Sequence, residues 1–195
     1  MTIVLIDADA FLCARKLELI ELLRSSPELW PKPSLYCTSI VARNELNDLQ
    51  SLIGELEALG LFRVERVLAK TPAARMKREI QSRLRVHKGE AEAIAWGIEA
   101  RLTLNCVVAF VSLDAEARRA ATASKLAGWD LFDLGRHWLE RGLLSKSQFR
   151  SVFEAWEDGP HVFGRPRDFE GLEATFQSRF GVSLADFPSP TEPAT

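Results

Sequence analysis

Two short aliphatic runs in this chain stop abruptly on a carboxylate, and they limit its architecture more than any other feature. Cys106 to Leu113 reads CVVAFVSL and is closed by Asp114; Thr2 to Ile6 reads TIVLI and is closed by Asp7. A continuous apolar run, as opposed to an alternating one, is the pattern of a strand covered on both faces, which occurs in parallel sheets flanked by helices. Leu35 to Val41 has strand composition, Phe62 to Leu68 (FRVERVL) alternates like a half-buried strand, and Trp129 to Leu134 reads as a last short strand. Between them lie helical periodicities over Phe11 to Leu23, Asn44 to Leu59, Thr71 to Arg85, Glu90 to Leu104 and Ala115 to Ala127. Alternation of the two kinds of segment predicts an α/β fold: a mainly parallel central sheet of four to five strands with helices on both faces.

After Gly135 the strand signals cease, and helical stretches occur around Arg136 to Leu144, Lys146 to Glu157 and Asp168 to Phe180. The expected division is therefore an α/β domain over residues 1–134, a C-terminal helical extension over 135–181, and a disordered tail over 182–195. Trp138, Phe149, Phe153, Trp156, Phe169 and Phe176 are too many large apolar residues for free surface helices. Trp138 is expected to pack on the α/β domain. The stretch from Phe149 to Phe180 is expected to meet a partner or a second copy of the chain.

Composition removes several classes of function. At 47% apolar residues and a formal net charge of -2 over 195 residues, the chain has no need to be disordered. No apolar run approaches the ~20 residues of a membrane span, and the first residues lack a basic leader, so a soluble cytoplasmic protein is expected. Cys13, Cys37 and Cys106 lie far apart, and His87, His137 and His161 show no ligand spacing, which speaks against a structural zinc site or a Cys–His nucleophile.

Chemistry must then come from carboxylates. In open α/β sheets, functional groups gather at the carboxyl ends of strands, where Asp7 and Asp114 are expected. Glu45 and Glu90 stand at helix starts able to cover the same edge. Converging carboxylates repel unless a cation joins them, and hard oxygen ligands suit Mg²⁺ or Mn²⁺. Taken one at a time, each acid also has a plain explanation as a strand-ending turn, a helix cap or a first-turn acid.

The order of these acids and the residues around them resemble the PIN-domain family, metal-dependent ribonucleases that include the VapC toxins of bacterial toxin–antitoxin pairs. VLIDADAFL matches the family's opening strand and first acid at Asp7; TSIVARNEL supplies the second at Glu45. HKGEAEAIAWG copies the Gly-Glu-Ala-Glu-Ala-Ile run of one branch and places Glu90; FVSLDAEARRAA places Asp114. The likeness covers roughly residues 1–134. It implies an endoribonuclease in which Asp7, Glu45, Glu90 and Asp114 are catalytic. Asp7, Glu90 and Asp114 would hold the ion, and Glu45 would complete the site. Metal-activated water would attack phosphorus in line, leaving 5′-phosphate and 3′-hydroxyl ends. Asp9 stands where the family commonly has a small hydroxyl residue, and Ser112 is the hydroxyl before the last acid; both are expected to have supporting roles. Glu92 lies about 200° round the helix from Glu90, too far to bind the same ion, and is expected to be a solvated or supporting glutamate. The likeness further implies RNA as substrate, a cognate antitoxin as partner, and a homodimer.

Charge is unevenly placed. Lys70, Arg75, Lys77, Arg78, Arg83, Arg85 and Lys88 face a single acid, Glu79, so this stretch carries +6 and the rest of the chain -8. Such a helix leading into Glu90 would hold phosphates, with Arg118 and Arg119 as further contacts. A solvated helix face or a dock for an acidic partner has the same composition. Two other functions compete. VLIDADAF also resembles the haloacid dehalogenase phosphatases, with Asp7 as nucleophile and Asp9 as acid, and a PIN-like module can serve as a non-catalytic binding element.

Overall fold

The computed structural model describes residues 2–84, 86–158 and 162–188. Arg85, His161 and the last residues of the expected tail, 189–195, lie outside the described residues. Five strands form one parallel sheet: β1 (Thr2–Ile6), β2 (Leu35–Thr38), β3 (Phe62–Glu65), β4 (Val107–Val111) and β5 (Ala127–Trp129), in the order β3-β2-β1-β4-β5. The expected α/β class with a parallel sheet of four to five strands is what the chain adopts. The aliphatic runs of β1 and β4 lie side by side at the centre, Thr2 to Ile6 in register with Val107 to Val111. Successive residues point to opposite faces, so Val4 and Ile6 enter one core while Ile3 and Leu5 enter the other.

Around the sheet run α1 (Ala8–Lys16), α2 (Leu19–Ser25), α3 (Gln50–Ala58), α4 (Pro72–Leu84), α5 (Lys88–Leu104), α6 (Ala115–Ala123), α7 (Leu131–Glu140), α8 (Lys146–Glu154) and α9 (Leu172–Phe180). The single helix expected over Phe11 to Leu23 is two, because Glu18 adopts a left-handed backbone (φ 62°) between α1 and α2. The strand expected over Trp129 to Leu134 is another correction: β5 ends at Trp129 and α7 begins at Leu131. Asp130 caps that helix, accepting from Phe132 N at 2.9 Å and Asp133 N at 3.1 Å, while Asp133 accepts from Asp130 N at 3.0 Å. This reciprocal box satisfies the free amides of a helix start.

α7 straddles the boundary expected at residue 134, and α8 and α9 share the core of the sheet with it. Phe132 is surrounded by Phe149, Phe153, Trp156, Phe169, Phe176 and Phe180, with ring centroids 5.3 to 6.3 Å away. Phe149, Phe153, Trp156 and Phe176 are completely buried within the chain, together with Val4, Ile6 and Phe11. No partner is needed to cover them, which corrects the expectation of an intermolecular contact there. Leu184 and Phe187 are buried as well, although both fall within the expected disordered tail. Arg179 of α9 fastens this layer, donating to Asp130 Oδ2 at 2.8 Å and to Asp168 Oδ1 at 2.6 Å. Among the described residues, no helix is long and apolar enough to cross a membrane.

Candidate active site at the carboxyl edge of the sheet

Where β1 ends, three neighbouring strands bring short polar side chains into one row. The register that sets Leu5 level with Tyr36 carries Asp7 level with Thr38, and the pairing of Ile6 with Val111 carries Asp7 level with Ser112. Asp7 N still donates to Val111 O at 3.0 Å, so the acid is held rigidly at the sheet's edge. All three are buried: Thr38 and Ser112 completely, and Asp7 at 6% exposure. The Thr38 hydroxyl has no hydrogen-bond partner among the described residues. Thr38 escapes a reading of the sequence, because its place beside Asp7 is set by strand pairing.

Asp7 also caps α1, its Oδ1 accepting from Ala10 N at 2.8 Å. Burial pushes its carboxyl up to about 7, against the Ser112 hydroxyl and the Ala10 amide, which favour the charged form; the charges of Asp9 and Glu90 push the same way as burial.

The row opens into a cleft of about 340 Å³ walled by Asp7, Asp9, Glu45, His87, Lys88 and Glu90. Glu45 arrives there on one wide turn, Val41–Glu45, closed by an i→i+5 bond from Leu46 N to Val41 O at 3.0 Å. The Gln50 amide braces the turn through Ala42 O at 2.6 Å and Leu46 O at 3.2 Å. The Glu45 carboxylate lies where a Cβ on residue 89 would stand, so Gly89 is what admits it. Glu45 is exposed by residue area, yet its carboxyl end feels this burial first, then the charges of Glu90 and Asp9, and its pKa rises; His87 opposes. Glu90, in the first turn of α5, accepts from His87 N at 2.7 Å. Its pKa rises through burial, opposed by that amide, with Asp114 and Asp9 adding repulsion. His87 itself, at the cleft wall, is not among the candidates the sequence offers; it enters because it immediately precedes α5.

Asp114 stands apart. It is exposed, caps α6 by accepting from Glu116 N at 2.6 Å, and does not wall the cleft, though its charge is felt at Glu90. Ser112 links the two acids of β1 and β4, accepting from Asp114 N at 3.1 Å. Among the described residues, no three carboxylate, histidine or cysteine side chains stand close enough together to hold a metal ion. Asp7, Glu90 and Asp114 each spend one oxygen on a helix-start amide. The donor set nonetheless fits a hard divalent ion: carboxylate and hydroxyl oxygens, a buried acid whose pKa burial raises, and no lysine or arginine ion-paired to Asp7, Glu45 or Glu90 among the described residues.

The basic residues divide into two groups. Arg75 and Arg78 on α4 are exposed and, among the described residues, without ion pairs, and Lys88 walls the cleft. Arg83 pairs with Glu79 at 2.6 Å and Arg119 with Glu116; Arg118 donates to Ser112 O at 2.7 Å. Lys77 is turned inward, its Nζ 3.2 Å from Glu92. Glu92, at 3% exposure, is a buried structural acid and not a solvated one.

The chain matches no family model, no curated protein and no solved structure.

Proposed function

We propose that the protein is a Mg²⁺- or Mn²⁺-dependent endoribonuclease acting from the cleft of Asp7, Glu45 and Glu90, with Asp114 at its margin. The observation that carries this reading is Asp7, a buried carboxyl group sharing its cleft with Asp9, Glu45 and Glu90 and with no cationic side chain paired to it among the described residues. A chain that maintained such repulsion for packing alone would gain by replacing the acid with an apolar residue.

Asp7 and Glu90 would hold the ion and Glu45 would complete the site, and Asp114 would join them by turning inward from its cap on α6. When bound, the ion lowers the pKa of water and stabilises charge at phosphorus. The chain's own residues do the rest. Ser112 holds the orientation of Asp7, and Lys88 with Arg75 and Arg78 neutralises phosphates entering the cleft. The PIN-like order of the acids extends the reading to the toxin of a bacterial pair, with an antitoxin and a second copy of the chain as its protein partners.

Asp7→Asn tests this directly. It keeps the shape and one cap acceptor while removing the charge. Mn²⁺ binding by calorimetry, RNA cleavage and any growth arrest on expression should all disappear, with the melting temperature retained. Cleavage that survives the substitution would overturn the proposal. Hydrolysis of a phosphomonoester that vanishes with Asp7→Asn, in a protein that never cuts RNA, would instead identify a phosphatase.

A further inference from the structure

We infer that Glu92 is a positioning residue that docks the Glu45-bearing turn onto α5, with Lys77 as its counter-charge; this rests on the nuclease reading of the cleft. Glu92 lies between Ala91 and Ala93 on a stretch of α5 that is buried without a break from Ala91 to Ala95. Packing alone would favour an apolar residue at 3% exposure, since a buried carboxylate costs several kcal/mol unless both oxygens are satisfied. Both are. Oε2 accepts from Ile40 N at 2.9 Å, and Oε1 faces Lys77 Nζ at 3.2 Å.

The identity of that amide matters. β2 ends at Thr38 and the wide turn begins at Val41, so Ile40 has left the ladder of β2 and precedes the turn. Glu92 supplies the acceptor that the ladder no longer does. Ile40 and Val41 wall the cleft, and Glu45 lies on the same turn. α5 thereby grips this turn at both ends: Gly89 lies beneath the Glu45 carboxylate, and Glu92, one helical turn further on, holds Ile40. Glu92 does not wall the cleft, so its effect is exerted through Ile40 and the Glu45 backbone.

The test uses the full chain and three variants: Glu92→Ala, Lys77→Met, and Lys77→Met with Glu92→Gln. Amide exchange at Ile40 by NMR reports docking, and steady-state cleavage with Mn²⁺ reports the cleft. Glu92→Ala should speed Ile40 exchange at least tenfold and lower kcat about tenfold with KM within about twofold, the size of effect expected when a residue that orients a site is lost. Lys77→Met alone should also lower kcat, because it leaves a buried charge unpaired. The double variant should recover both readouts to within about threefold, because the glutamine oxygen still accepts from Ile40 N and no charge remains buried. Unchanged Ile40 exchange in Glu92→Ala, even with a lower melting temperature, would overturn the inference. So would a double variant that protects Ile40 but stays inactive, since Glu92 would then act by its charge. Should the native chain neither bind Mn²⁺ nor cut RNA, the nuclease reading fails, and Ile40 exchange alone still decides the docking.

Discussion

Asp7 is asked to do two opposed things: cap a helix, which favours its ionised form, and sit at 6% exposure, which disfavours it. Burial wins, and the folded chain holds the proton up to about pH 7 where an ordinary aspartate releases it near 3.8. The folded form therefore binds this proton more tightly than the unfolded form. The contribution of Asp7 to stability is fully present below the unfolded value of 3.8 and is lost as pH rises through about 7, on the order of 4 kcal/mol. Glu45, Glu90 and Asp133 act in the same direction, whereas His137, held down at about 4 by burial, loses stability as pH falls. The difference between native chain and Asp7→Asn isolates the one group. Denaturant unfolding in the presence of chelator should give a difference that shrinks from about pH 4 to about pH 8 and is flat above; Mn²⁺ should reverse the loss at about pH 8. A difference independent of pH would mean that Asp7 is ionised throughout.

Among the elements, α4 offers exposed basic side chains to a ligand. Arg75 and Arg78 project without ion pairs among the described residues, while Lys77 is committed to Glu92 and Arg83 to Glu79. Charge reversal at Arg75 and Arg78 should weaken RNA binding and reduce the log–log salt slope by roughly 0.7 per lost contact with a single strand, measured by fluorescence anisotropy across salt. Reversal of Arg83 should change the slope much less. An equal effect from all three would mean that the helix acts only through its net field. In sequence these residues look alike, because charge is legible there and pairing is not: Lys77 and Glu92 are 15 positions apart and meet only when α4 packs on α5.

Other elements divide in the same way. β1 is readable to the residue, because an unbroken aliphatic run closed by Asp7 has few alternatives. The start of α7 escapes, since WDLFDL is as apolar as a strand once the helix is buried on most sides; the pairing of Asp130 with Asp133 is the available sign. The wide turn carrying Glu45 has no local code, because an i→i+5 bond is chosen by what the turn docks against. Glu45 is thus legible as a residue but not as a geometry.

For the molecule as a whole, the aromatic layer of α7 to α9 is as much the core of the sheet as its own strands are. Gly135 is one sign of this: the Phe153 and Phe149 rings lie within 3.0 Å of where its Cβ would be. Truncation after Leu144 removes Phe149, Phe153, Trp156 and Phe176, each worth about 3–5 kcal/mol when lost from a core. That sum reaches or exceeds the roughly 5–15 kcal/mol by which a domain is usually stable at all. The shortened chain should be insoluble, or should unfold without cooperativity by circular dichroism; a shortened chain that melts as sharply as the full one would separate the C-terminal helices from the core.

The shared core also sets an order of events during biosynthesis. Asp114, the last of the four acids, leaves the ribosome 73 residues ahead of Phe187, the last aromatic of the core. At about 5–20 residues per second, that interval is roughly 4 to 15 s. Throughout it the acids exist without the complete layer that covers β1, so the cleft matures only after Phe187 has emerged.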